Sequence, residues 1–247
     1  MKRLTGLLVV LTLAVPLVAR AQSGVSEGFY KEGVKIGEEG RRKGDNARLA
    51  DALSRFQKAA ILEPKVFKYH LNMAYAYDWL GRLPEAQAAY ERALKIGPRS
   101  LEARRGLADV LRRLRFLDEA EKNYKALLKQ NKADVDSMMG LAAIAVERED
   151  LDTAVDYYGQ VLKASPKNAE PAFRAGRILW HQKDLPRAQE FYRKAIEIKP
   201  DYHEAVYGLG MVLREQGDTE GAKGEMKKAC QGGIKQACTQ LWKLEGK

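Results

Sequence analysis

The sequence predicts a repeat array in which one supersecondary unit is copied along the chain, and three observations in a single register carry that prediction. Ala52, Ala86, Ala120, Ala154, Ala188 and Ala222 follow one another at intervals of 34 residues. Four residues after each stands a bulky side chain: Phe56, Tyr90, Tyr124, Tyr158, Tyr192 and Met226. Twelve residues after most of the alanines comes a proline (Pro64, Pro98, Pro166, Pro200), with Lys132 the exception among the first five. Self-similarity at such a period means that each unit buries its apolar face against its neighbours, so the core is a continuous strip rather than a ball.

The unit is written most fully in residues 67–100, where Met73-Ala74, Tyr77, Gly81, Ala86, Tyr90, Ala93 and Pro98 mark its register. Leu107-Ala108, Leu141-Ala142, Ala175-Gly176 and Leu209-Gly210 follow in the later copies. The pattern resembles the tetratricopeptide repeat, a helix–turn–helix unit. That resemblance implies an all-α, right-handed solenoid of about six repeats, at roughly 28–66, 67–100, 101–134, 135–168, 169–202 and 203–233, with a capping helix in 234–247. In such a unit small residues let helix A approach helix B, and the bulky residue fills the space between repeats. The terminal proline cannot continue helix B and so ends it. Pro84 and Pro186 sit near the start of helix B, where a missing N–H is harmless. The first copy departs from the spacing. Aligning Ile36-Gly37 and Gly44 with the signature leaves about three extra residues within Asp45 to Asp51, read as a longer inter-helix loop in an atypical terminal repeat or as a distinct entrance surface.

The two ends carry different signals. Lys2 and Arg3, the apolar stretch Leu4 to Val18 and the small-x-small site Ala19-Arg20-Ala21 compose a secretory signal peptide, residues 1–21, cleaved before Gln22. The apolar stretch contains Pro16 and is short for a membrane span; retention as an uncleaved anchor is the other reading. No cysteine lies near the cleavage point, so the chain does not resemble a lipoprotein precursor. The expected mature chain, residues 22–247, is one solenoid, periplasmic or secreted, with no integral membrane segment and no linker beyond Gln22 to Glu27. At the other end, the run from Ala229 to Cys238 resembles the Sel1-like repeat of secreted solenoids, which joins two cysteines eight apart on consecutive antiparallel helices. An exported chain with two cysteines at this spacing implies one structural disulfide, Cys230 to Cys238, stabilising by about 2–3 kcal/mol and pinning the last helix over the final repeat. A redox or metal role would need a C-x-x-C motif or histidine partners, and neither is present. Gly221 and Gly224 weaken the preceding helix by about 1 kcal/mol each, which gives the bridge a purpose.

The formal charge is +10, and three of those positive charges would leave with the signal peptide. A basic exported chain suits anionic lipid headgroups, acidic polysaccharide, peptidoglycan or acidic protein surfaces, while export argues against nucleic acid. The sequence shows no catalytic constellation. His70, His181 and His203 occupy different repeat positions. His203-Glu204 opens like a zinc-protease motif, but Tyr207 stands where its second histidine belongs. There is no nucleophile elbow or Walker loop, and Gly208-x-Gly210 lacks the third glycine of a dinucleotide fingerprint. Pairs such as Glu38-Glu39 and Asp118-Glu119 suit solvated faces and helix starts. Neither a cofactor nor a metal is expected.

The family resemblance implies a concave face built mainly from helix A. Carried onto this sequence, its positions include Leu71, Tyr75 and Trp79, then Arg105, Arg112 and Arg113, then Met139, then Phe173, Arg177 and Trp180, and finally Tyr207 and Arg214. Aromatic and arginine side chains favour binding hot spots because they combine contact area with planar, multidentate hydrogen bonding. Some of the aromatics could equally pack between helices while the arginines solvate. The carboxylate clamp of chaperone-binding members is absent, since Val34 and Glu38, or Leu71 and Tyr75, replace its lysine and asparagine. The expectation is a non-enzymatic protein–protein interaction scaffold of an exported cell-envelope complex (pilus, secretion, polysaccharide export or gliding motility), holding a peptide or helix segment of a partner in the groove. The alternative is a module binding cell wall or acidic polysaccharide through the same residues.

Overall fold

The 34-residue register becomes a pair of helices at each copy. The computed structural model describes the backbone of residues 5–246 and the side chains of residues 22–246. The expected signal peptide therefore begins outside the described residues. Thirteen helices are described, packed in consecutive pairs as in a tetratricopeptide solenoid, and they divide into two compact units. Among the described residues no helix is long and apolar enough to cross a membrane.

The first unit ends at Asn123. It holds α1 (Thr5–Lys43), α2 (Asn46–Leu62), α3 (Phe67–Trp79), α4 (Leu83–Ile96), α5 (Leu101–Arg113) and the opening of α6 (Leu117–Gln130). Within it α1 packs on α2, α3 on α4, and the A-type helices α1, α3 and α5 lie side by side. The second unit starts at Tyr124 and holds the rest of α6. It continues with α7 (Val135–Glu147), α8 (Leu151–Ala164), α9 (Glu170–His181), α10 (Leu185–Ile198), α11 (His203–Glu215), α12 (Thr219–Gln231) and α13 (Lys235–Leu244). Here α7 pairs with α8, α9 with α10, α11 with α12, and α9 also touches α11.

All six register alanines are fully buried, and the bulky residues that follow them are no more than 3 % exposed. The tyrosines reach forward into the next A helix where glycine makes room. Tyr90 packs against Gly106, Tyr124 against Gly140 and Tyr192 against Gly208, each so closely that a Cβ on the glycine would collide with the ring. Residue 174 breaks this rule: an arginine stands there and hydrogen-bonds Tyr158. Pro84 and Pro186 occupy the first turns of α4 and α10. The B helices end two residues before Pro64, Pro98, Pro166 and Pro200, and α6 ends in the same register before Lys132.

The turns inside each pair share one design. The chain leaves the A helix through a residue at positive φ, and the next N–H reaches back to a carbonyl in the last turn. Arg82 N–H bonds Tyr77 O, Phe116 bonds Leu111, Asp150 bonds Ala145 and Asp184 bonds Leu179, each at 2.9 Å. This closure satisfies carbonyls that the helix end leaves without partners. Gly44, Gly81 and Gly217 supply the positive φ in three pairs, but Arg115, Glu149 and Lys183 adopt it at 69°, 62° and 64°.

Two expectations are corrected at the N-terminal end. The extra residues of the first repeat do not lengthen a loop. Only Gly44 and Asp45 separate α1 from α2, and the added residues give α2 17 residues against 14 in α4. Asp45 caps this longer helix by accepting from Ala47 N–H and Arg48 N–H, so the added turn is helical. Gln22 to Glu27 are not a linker either. They belong to α1, where Ser26 is fully buried and hydrogen-bonds Glu63 and Tyr69, Gln22 donates to Leu62 O, and Glu27 pairs with Lys68 at 2.7 Å.

At the other end Cys230 and Cys238 are joined, as the resemblance implied. The bridge ties the end of α12 to the start of α13, whose Ala237 and Leu241 pack against Val206, Met211, Met226 and Ala229.

Candidate functional site

Tertiary contacts divide the expected groove residues into two groups: those engaged inside the fold and those left at its surface. In the first unit Leu71 is only 5 % exposed and belongs to the core. Arg105 and Arg112 are half-buried and engaged within the fold. Arg113 is exposed and ion-paired to Asp78. Tyr75 donates its hydroxyl to Glu102 and meets Tyr90 edge-on at 5.8 Å. Burial first, and then the Glu102 carboxylate, push the Tyr75 phenol well above its usual range, so it stays a neutral donor.

Trp79 stands apart. It is 44 % exposed, stacks on Tyr75 at 5.8 Å, and has the Arg41 guanidinium 5.6 Å from its ring centre. Tyr75 and Trp79 line the α3 wall of a cleft of about 240 Å³ between α1 and α3, and Arg41 lines the α1 wall opposite. Val34, Gly37 and Glu38 supply the α1 side; Leu49, Ala52 and Phe56 of α2 form the floor. The floor residues are core residues, at most 4 % exposed, so the cleft opens onto the apolar interior.

In the second unit Phe173 lies 4.9 Å from Tyr202 and 6.1 Å from Tyr192, with the exposed Arg177 guanidinium 5.9 Å from its ring. Trp180 is half-buried and donates its indole N–H to Glu215 at 3.0 Å. Lys183 donates to the same carboxylate at 2.8 Å, and these two hydrogen bonds, Lys183 first, hold Glu215 below the usual carboxylate range. Arg214 donates to Gln240 at 2.6 Å. Met139 and Tyr207 are half-buried against the apolar clusters. Arg177 is thus the expected groove side chain this unit presents most openly.

The histidines do not converge. His70 is buried and hydrogen-bonds Pro64 O at 2.8 Å, His181 sits beside Trp180, and the His203 ring packs on Gly232. The last contact makes His203 a packing residue. Among the described residues no group of His, Cys, Asp and Glu is arranged to hold a metal ion.

The residue the groove reading missed is Arg41. Its signal was present: extending the helix A positions one repeat back, past the irregular first spacing, reaches Val34, Glu38 and Arg41. What the sequence could not show is that α1 and α3 stand far enough apart to leave a cleft.

Comparison with known proteins agrees with this architecture. Family models described as tetratricopeptide repeat match residues 67–110, 105–169, 144–203 and 179–229. No curated protein matches the chain. Among solved structures, YrrB, described as a TPR protein with an unusual peptide-binding site, is similar at 21% identity and a TM-score of 0.61, covering 76% of this chain and 97% of its own. PilF of Pseudomonas aeruginosa is similar at 12% identity and a TM-score of 0.65, covering 84% and 91%. MamA of Desulfovibrio magneticus is similar at 19% identity and a TM-score of 0.62, covering 70% and 97%. At these identities the likeness concerns the fold.

Proposed function

The chain belongs to the tetratricopeptide repeat family, and we propose that it is a non-enzymatic scaffold holding a segment of a partner protein against its A helices within an exported cell-envelope complex. The observation that carries this reading is Trp79. A large aromatic ring, nearly half exposed at the mouth of an apolar cleft, contributes little to the fold and much to a contact. Arg177 over Phe173 repeats the aromatic–arginine pairing in the second unit. The similarity to YrrB, a protein described by its peptide-binding site, supports a peptide segment as the ligand. The export assignment rests on the sequence pattern of residues 1–21, with cleavage before Gln22 placing the chain in the periplasm or outside the cell.

Crosslinking capture from native envelopes tests the scaffold. Wild type is compared with a Trp79→Ala, Arg177→Glu variant whose circular dichroism matches it. A protein captured by wild type and lost from the variant supports the reading. Equal capture by both moves the interface away from these helices. Sedimentation of both with wall polymer and no captured protein favours the polysaccharide alternative. Mass spectrometry of the intact protein from the envelope fraction tests export: a chain beginning at Gln22 is expected, and one retaining residues 1–21 overturns cleavage.

A further inference from the structure

We propose that the cleft between α1 and α3 is a subsite for a single bulky apolar side chain of the partner, and that Arg41 binds a carboxylate next to that side chain. The inference rests on the scaffold reading and adds the chemistry of one place on it.

Size restricts the occupant first. The cleft holds about 240 Å³. An apolar cavity of about 150 Å³ accepts benzene, whereas sites for cofactors and drug-sized molecules run from about 300 Å³ upward. One leucine, phenylalanine or tryptophan side chain therefore suits the volume. Polarity restricts it next. The floor of Leu49, Ala52 and Phe56 offers no hydrogen-bonding side chain, and Asn72 on the α3 wall already donates to Lys68 O at 2.9 Å, so a sugar hydroxyl or charged group placed on the floor would lose its water without compensation.

Charge sets the neighbour. Several basic residues of this first unit already hold carboxylates (Lys43 and Arg48 share Glu39, Arg55 takes Glu32, and Arg113 takes Asp78), while Arg41 is the basic residue that lines the cleft. Arg41 has no ion pair among the described residues; its guanidinium lies over the Trp79 ring at the cleft mouth, its N–H groups available to an incoming carboxylate. The unit also carries more Lys and Arg than Asp and Glu, so an acidic segment is drawn to it and a basic one repelled. Glu38 is the one carboxylate on the cleft wall, and it makes the opposite preference a real outcome of the test.

The test is selection of short random peptides, displayed on phage, against the full chain. Peptides carrying Leu, Phe or Trp beside Asp or Glu are expected. Gly37→Leu fills the cleft from α1, where a Cβ makes only an ordinary 3.4 Å contact with Ala52, and it should weaken those peptides about tenfold or more. Arg41→Glu should do the same, with Arg41→Lys retaining part of the affinity; Arg41 is exposed, so this arm stands even if Gly37→Leu folds poorly. Peptides that bind both variants as well as wild type, but are lost from Arg177→Glu, overturn the subsite and leave the scaffold reading intact. Enrichment of basic peptides overturns the role given to Arg41. No enrichment over an unrelated helical protein overturns the subsite, whatever the envelope capture finds.

Discussion

A glycine in the middle of a helix normally weakens it by about 1 kcal/mol relative to alanine. At Gly106 and Gly140 the balance reverses, because the Tyr90 and Tyr124 rings occupy the space a methyl group would need. Gly106→Ala must therefore displace a buried ring, and we expect a loss of about 1–3 kcal/mol. Gly159 in α8 is the control: nothing lies near its missing Cβ, so Gly159→Ala should gain up to about 1 kcal/mol. Urea unfolding of the two variants gives opposite signs if the tyrosine knob is the reason for the glycine. The sequence displayed both glycines but not this distinction. A ring reaching from one repeat into the next is a contact sixteen residues away in sequence, invisible to helical periodicity.

At the level of the element, the A-to-B turns need a residue at positive φ, and three of them use side chains that resist it. The Glu149 side chain makes no hydrogen bond or ion pair among the described residues, and its backbone N–H bond to Val146 O is one glycine keeps, so Glu149→Gly removes only the backbone penalty. A gain of about 0.5–1 kcal/mol is expected, read as a raised Tm. The stop signals tell the opposite story. Helix α6 ends in register before Lys132 just as its counterparts end before proline, so that boundary does not require a proline. The C-terminal bridge acts on one helix as well. Cys230→Ser with Cys238→Ser should lower stability by about 2–3 kcal/mol. The amides of α13 should exchange faster than those of α9 and α10, a difference hydrogen exchange resolves. Uniform acceleration along the chain would mean that the bridge stabilises the whole unit rather than the cap.

Across the molecule, stability should fall in acid for a specific reason. Glu27 is held below its usual range, first by the hydrogen bond from Lys68, and Asp45 by the Arg48 and Ala47 backbone N–H groups. A carboxylate with a depressed folded pKa contributes stability that is present above its unfolded value and lost as pH falls through its folded value. The chain should thus keep its Tm from neutral pH down to about the ordinary carboxylate range, near 4.5 for Glu27, and lose it progressively below. Glu27→Gln should lower the neutral Tm slightly and flatten the acid limb. An unchanged limb would show that the α1–α3 pairing at Glu27 contributes nothing to the docking of α1.

The sequence by itself determined the repeat: its period, its helix pairs, the buried alanines, the bulky residues that follow them and the joined cysteines. The period and its register follow from local periodicity, which every copy states again; the helix pairs and the bridge follow from the resemblance to the tetratricopeptide and Sel1-like repeats. Only the tertiary structure decided that the first repeat lengthens α2 instead of a loop, and that residues 22–27 dock as helix. It also decided which groove residues are engaged by neighbours and which stay open. Leu71 and Trp79 are both expected groove positions of one helix, yet one lies in the core and the other at the mouth of a cleft. The difference comes from spacing between helices more than twenty residues apart in the chain, set by the sizes of all the side chains packed between them.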